Sequence, residues 1–176
     1  MDEHSKFKAL VHYVCWKCAD DPTQLGAVKL NKALWLSDLA AYYQLGRPIT
    51  GSRYVKRQFG PVPAAIMPVL RELHAEGSVT ARQVRHFKNW KTEYSVHREP
   101  PAGFLGNDEK QIVDQWVEYV CNEHTAKSIS EASHDHIWKA ADIGETIPHF
   151  TVFAQPGEIT DDEREWAKLE LEEMAQ

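Results

Sequence analysis

The chain has 176 residues, 43% of them hydrophobic and 26% charged, which supplies one apolar core and leaves little room for a second domain. No apolar run approaches the roughly 18 residues of a membrane span, and the 9 Gly and 9 Pro are dispersed, which argues against disordered or collagen-like chains. The net charge of −6 argues at first against anionic partners, but it hides segregation: residues 1–46 carry 5 basic and 5 acidic side chains, 47–98 carry 10 and 3, and 99–176 carry 5 and 18. The opening residues Met1 to Lys6 have neither the basic and then apolar run of a secretory leader nor an Arg-rich transit pattern, so a cytoplasmic location without membrane contact is expected. Three cysteines are too few for a disulfide framework and read as free thiols.

Between Glu3 and Ala19 the residues Phe7, Leu10, Val11, Val14, Cys15 and Cys18 recur at helical steps, and Asp20-Asp21-Pro22 ends the pattern. A second helix over Ala27 to Leu45 is apolar around most of its circumference, so it is expected to be central and covered on several sides. Gly46 can take the left-handed position after its last turn, and Pro48 cannot continue it. Residues 49–62 read as an extended connection, forced out of helical geometry by Pro61 and Pro63. A third helix runs to Glu76, with Pro68 tolerable in its first turn, and ends at Gly77. Ser78 to Arg98, rich in β-branched and aromatic residues, predicts a hairpin turning at Lys88-Asn89-Trp90.

Beyond the break at Glu99-Pro100-Pro101-Ala102-Gly103, Asp108 with Gln111 can start a helix through Val120. Ser128 with Glu131 has the spacing of a capping box for a short helix, and another is expected over Ile137 to Ala141. Thr160-Asp161-Asp162-Glu163 starts an acidic helix to Met174 whose few large apolar residues make it peripheral. The expected fold is therefore mainly α: a compact multi-helix domain around a central buried helix, with a small β-hairpin and a peripheral acidic C-terminal helix.

Chemical motifs are sparse. Cys15-Trp16-Lys17-Cys18 and Cys121-Asn122-Glu123-His124 have the spacing of two halves of a zinc site, yet the first pair falls within a helical period where Cys serves as a small apolar residue. His134-Asp135-His136 offers metal-ligand types, but the partners a metal hydrolase needs are not at recognisable spacing, and capping between two short helices is expected instead. No nucleophile elbow, phosphate loop, dinucleotide fingerprint or His-Glu-x-x-His helix is present, so no catalytic residue, metal or cofactor is assigned. Three helices followed by a basic hairpin with Arg82, Arg85, His86, Lys88 and Lys91 would also suit a winged-helix DNA binder. Against this, the third helix lacks base-reading residues.

The segments Lys29-Leu30-Asn31-Lys32-Ala33-Leu34-Trp35, Leu45-Gly46-Arg47-Pro48-Ile49 and Phe59-Gly60-Pro61-Val62, in that order and spacing, resemble the SocA-like antitoxin family, whose module is the Panacea domain. Ser130-Glu131-Ala132-Ser133-His134 followed by Trp138-Lys139-Ala140-Ala141 is similar to that family's second signature, and the resemblance runs from Phe7 to Phe153. Trp35 stands where the family usually has Tyr, Ile137 where Pro commonly precedes the Trp, and Pro63-Ala64-Ala65-Ile66 lacks a frequent Tyr. The resemblance implies a mostly helical, non-enzymatic antitoxin of bacteria or their phages that neutralises a cognate protein toxin by direct binding. Some relatives instead deliver the toxin to a protease. Lys29, Leu30, Lys32, Trp35, Gly46, Pro48, Gly60, Pro61, Val62, His134 and Trp138 are then expected to be structural. Arg47, Tyr54, Lys56 and Arg57, on the polar connection beside the turns, are expected to touch the toxin. The domain is expected to span 1–156, with 157–176 as an acidic extension, and an operator-binding regulator remains the alternative.

Overall fold

A computed structural model describes residues 2–86 and 88–154. Helix α1 (Glu3–Lys17) starts at Asp2, whose carboxylate accepts from the Ser5 N–H, and buries Phe7, Leu10, Val11, Val14 and Cys15. It stops two residues before the expected end. Asp21 caps a short 3-10 turn over Pro22–Gln24 instead. Helix α2 (Ala27–Leu45) ends at Gly46, where φ is +72° and the N–H returns to the Tyr42 carbonyl, the left-handed stop that its sequence predicts.

Helix α2 packs against α1 and against residues 60–63, 89–96, 107–118 and 126–132. Leu30, Ala33, Leu34 and Ala41 are fully withdrawn from water on it. Burial of each leucine contributes roughly 2–3 kcal/mol, a surplus that lets the same helix carry Lys29, Lys32 and Asp38 inside.

The connection after α2 is more ordered than its sequence suggests. Strands β1 (Tyr54–Arg57) and β2 (Gly60–Pro63) form an antiparallel hairpin in the register Tyr54↔Pro63 to Arg57↔Gly60. Its prolines fit because β2 is paired only on the β1 side among the described residues. The other side of β1 is occupied by residues 144–147: the Lys56 N–H donates to the Glu145 carbonyl, Gly144 donates to Lys56, and Ile147 donates to Tyr54.

Helix α3 (Ile66–Ala75) holds Pro68 at its third position, where no intrahelical N–H bond is lost, and it closes at Gly77 with φ +67°. The second hairpin joins β3 (Val79–His86) to β4 (Asn89–Val96) with His86 opposite Asn89, so Asn89 and Trp90 lie in the strand and the reversal comes earlier than expected. Val79 and Tyr94 anchor its base in the core.

Helix α4 (Asn107–Glu118) begins one residue ahead of Asp108. Its first turn is closed by Glu109, whose side chain accepts from the Gly106 N–H, rather than by an Asp108–Gln111 pair. The helix widens into a π turn over Tyr119–Glu123. Helix α5 (Ala126–Ala132) is capped by Thr125 and Ser128 exchanging side-chain and backbone bonds, not by Ser128 and Glu131. Glu131 lies exposed beside Lys127. Helix α6 (His136–Ala140) is capped by Asp135, and a 3-10 turn over His149–Phe153 returns to α2. The mainly α reading thus holds, with two small antiparallel strand pairs. The predicted acidic helix at 160–174 lies outside the described residues.

Candidate functional site

Two polar clusters grow from the buried side of α2, and the residues of the sequence motifs meet in them. The first is centred on Asp38, which is completely buried and accepts from the Thr50 N–H at 2.8 Å, the Thr50 hydroxyl at 2.7 Å and the Tyr54 hydroxyl at 2.8 Å. Burial raises this carboxyl to about 6, and those donors oppose the rise. Burial also pushes the Tyr54 phenol well up, with the Asp38 charge adding to it. The Trp35 ring lies 4.9 Å from that of Tyr54, and His149 stacks on Trp35 at 5.9 Å.

This arrangement fixes the chain that follows the Gly46-Arg47-Pro48 turn. Arg47 reaches Glu109 at 2.7 Å with its side chain still 62% exposed. Glu109 also accepts from Lys6 at 2.9 Å. Burial alone would raise the Glu109 carboxyl, but the bonds from Lys6, the Gly106 N–H and Arg47 bring it below its ordinary value.

The second cluster lies under the β1–β2 turn. Lys32 extends from α2 until its ammonium touches Gly60, so closely that a Cβ on Gly60 would stand 1.8 Å from Nζ and 2.5 Å from Ser133 Oγ. Lys32 is only 1% exposed, and its Nζ has no hydrogen-bond partner among the described residues. Gly60 has φ +107°, a conformation side-chain-bearing residues rarely adopt. The Ser130 hydroxyl donates to the Phe59 carbonyl at 3.2 Å and the Ser133 hydroxyl to the Ser130 carbonyl at 2.8 Å, which ties α5 to the turn.

Trp138 on α6 closes the cluster: its Nε1–H donates to the Arg57 carbonyl at 3.1 Å, and His134 stacks on it at 3.7 Å with 8° between the rings. Lys56 Nζ stands 4.2 Å from the Trp138 ring centroid while donating to the Ala141 carbonyl at 2.8 Å. The His134 imidazole is shifted down by burial first and then by the neighbouring charges of Lys32, Lys139 and Lys56, which outweigh Glu131.

Desolvation brings Lys32 down from 10.5 to about 7. Between those values the unfolded chain keeps a proton that the folded chain has released, so wild-type stability climbs with pH across that window. Lys32→Met removes the titration. It is expected to be about 2 kcal/mol more stable than wild type near pH 7, with the gap narrowing towards about pH 9.5 in urea melts. A gap of constant size would refute this account of Lys32.

Of the residues expected to touch a partner, Arg47 and Arg57 are exposed, whereas Tyr54 is fully buried and Lys56 is 9% exposed, so these two work from inside the fold. Among the motif residues, Lys29 donates to the Cys121 carbonyl at 2.9 Å, Leu30 and Trp35 are core, and Pro61 and Val62 form β2. Pro48 starts the return towards Thr50.

Asp38 and Thr50 have no place in the sequence reading, and Phe59, Ser130 and Ser133 lie in the family segments without a role of their own. For Asp38 the visible signal is a lone carboxylate on an otherwise apolar stretch of helix.

Cys18 and Cys121 come within 3.3 Å through sulfur, but His124 turns instead to Ser128 at 3.0 Å. Among the described residues no three His, Cys, Asp or Glu side chains converge as metal ligands. In the His134-Asp135-His136 segment, Asp135 caps α6, His134 stacks on Trp138, and His136 bonds the Ala154 carbonyl at 3.1 Å. An open groove of about 570 Å³ lies between Trp90 and Lys91 of β4 and the starts of α2 and α5, and Lys29 is its only motif residue. Among the described residues no helix is long and apolar enough to cross a membrane.

A mainly helical domain with two small antiparallel strand pairs, in which Lys32, Gly60, His134 and Trp138 come together, is what the geometry defines. The family model described as Antitoxin SocA-like, Panacea domain, matches residues 30–139, and the chain belongs to that family. Neither the search of curated proteins nor the search of solved structures returned a match.

Proposed function

We propose that this protein is the cytoplasmic antitoxin of a bacterial or phage toxin–antitoxin pair and that it neutralises a cognate protein toxin by binding it directly. The observation that carries this reading is its membership of the SocA-like antitoxin family across residues 30–139. The surface we assign to the toxin surrounds the β1–β2 turn, where Arg57 and Phe59 are exposed side by side with Trp138 half-buried behind them. Arginine and large aromatic side chains are the residue types that dominate interface energies. Arg47 extends the surface past the end of α2, while Tyr54 and Lys56 hold the strand beneath it. We assign 1–156 to the antitoxin domain and 157–176, with 8 of the chain's acids, to an extension suited to a basic surface on the partner.

The test is co-expression with the protein encoded next to it. A growth defect caused by that protein is expected to be relieved, the two are expected to co-purify, and a double Arg57→Ala, Phe59→Ala variant is expected to lose both effects while remaining folded. A neighbour that is harmless alone contradicts the reading. A fall in toxin level in place of a stable complex would instead mark an adaptor that delivers the toxin to a protease.

A second reading rests on the β3–β4 hairpin, which projects exposed Arg82, Arg85, Lys88 and Trp90, as the wing of an operator-binding regulator would. Gel shifts at about 150 mM salt that show no preference for the upstream DNA would dismiss it.

A further inference from the structure

We propose that the β1–β2 turn is the cover of a carboxylate-receiving site, and that an Asp or Glu side chain of the partner toxin pairs there with the Lys32 ammonium. The inference rests on the antitoxin reading and deepens it. Its starting point is a buried cation that the fold does not use.

Lys32 is 1% exposed, and its Nζ finds no acceptor among the described residues. An unpaired buried ammonium costs stability, and a methionine of similar shape would fill the same space without that cost. Among the described residues the surroundings supply no anion either. Lys56 and Lys139 add positive charge around His134, whose own imidazole is shifted down, and Glu131, the acid whose field reaches it, is paired on the surface with Lys127. The Lys56 ammonium is already engaged with the Ala141 carbonyl and the Trp138 ring. Lys32 is therefore the one donor of this group held in reserve.

The cover is thin where it matters. Gly60 has no side chain, and the Lys32 ammonium lies where its Cβ would be. Beside it Phe59 stands 55% exposed, and the side-chain ties on the turn among the described residues are the Ser130 bond to the Phe59 carbonyl and the Trp138 bond to the Arg57 carbonyl. A free anion offers nothing to offset lifting this turn. A protein that takes the Phe59 ring into an apolar pocket does, because burying an aromatic side chain is favourable by itself and draws the turn outward from Lys32. The site thus fits an acidic residue flanked by an apolar recess on a protein partner.

The experiment compares wild type and Lys32→Met in binding to the toxin encoded next door, by calorimetry, with thermal melts of both. Lys32→Met is expected to melt higher than wild type and yet to bind on the order of tenfold or more weakly. A merely structural lysine would not separate the two readouts in that direction. Asp→Asn and Glu→Gln substitutions across the toxin are then expected to reveal one acid whose loss weakens binding to wild type and not to Lys32→Met. Lys32→Gln serves as a second variant should the methionine repack the cluster. Full-strength binding by folded Lys32 variants, or equal tolerance of every toxin acid, would overturn the inference and leave the antitoxin reading intact. Absence of any complex with wild type would overturn both.

Discussion

Gly60→Ala is expected to lower folding stability by about 2–4 kcal/mol and to abolish toxin binding, with urea denaturation and co-purification as the measurements. Two costs add at this position. The backbone at φ +107° strains any residue with a Cβ, and that strain follows wherever neighbouring side chains move. The new methyl would also stand 1.8 Å from Lys32 Nζ and 2.5 Å from Ser133 Oγ. The lysine tip is flexible, but it is enclosed between α2 and the turn, so its displacement pushes on the same hairpin. Removing the lysine separates the terms: in a Lys32→Ala background, Gly60→Ala is expected to cost about 1–2 kcal/mol less than in wild type. Equal costs in the two backgrounds would mean that Lys32 does not fill the space beneath the turn.

Asp38→Ala is expected to cost about 3–5 kcal/mol, because three donors, the Thr50 N–H, the Thr50 hydroxyl and the Tyr54 hydroxyl, lose their acceptor in a site sealed from water. The loss is expected to reach the surface as well, since Thr50 and Tyr54 place the chain between the Arg47 turn and β1. Asp38→Asn keeps one carbonyl acceptor and is expected to lie between wild type and Ala. It also isolates a pH effect. The Asp38 carboxyl titrates at 3.8 when unfolded and at about 6 when folded, so between those values the native state binds the extra proton and stability falls as pH rises. Guanidinium melts from about pH 4 to pH 6.5 are expected to show this slope in wild type and to lose it in Asp38→Asn. A slope that persists in the variant would assign it to other groups.

What the sequence disclosed follows from the range of the forces involved. Helix α1, helix α2 with its Gly46 stop, the proline in the first turn of α3 and the β3–β4 hairpin all rest on residues a few positions apart, and all were legible. The caps of α4 and α5 were misplaced because Glu109 and Thr125 compete with equally plausible neighbours, and the choice depends on where the chain enters the helix. The β1–β2 hairpin was hidden by its own prolines. Its stability comes from residues 144–147 on the far edge of β1, which no local pattern announces. For the same reason Tyr54 and Lys56 read as surface residues of a polar connection, while the structure draws them inward to Asp38 and Trp138. The motif segments were visible individually, but the placing of Lys32 against Gly60 and Ser133 is a fact of tertiary packing alone.

The two-sided pairing of β1 also bears on how the molecule is made. Synthesis proceeds from the N-terminus, so Lys32, β1 and β2 leave the ribosome well before residues 144–147 that brace β1 from behind. A nascent chain halted ahead of Gly144 can pair β1 with β2 but lacks the partner on its other edge. The strand that carries Arg57 is therefore completed only when residues 144–147 have been translated.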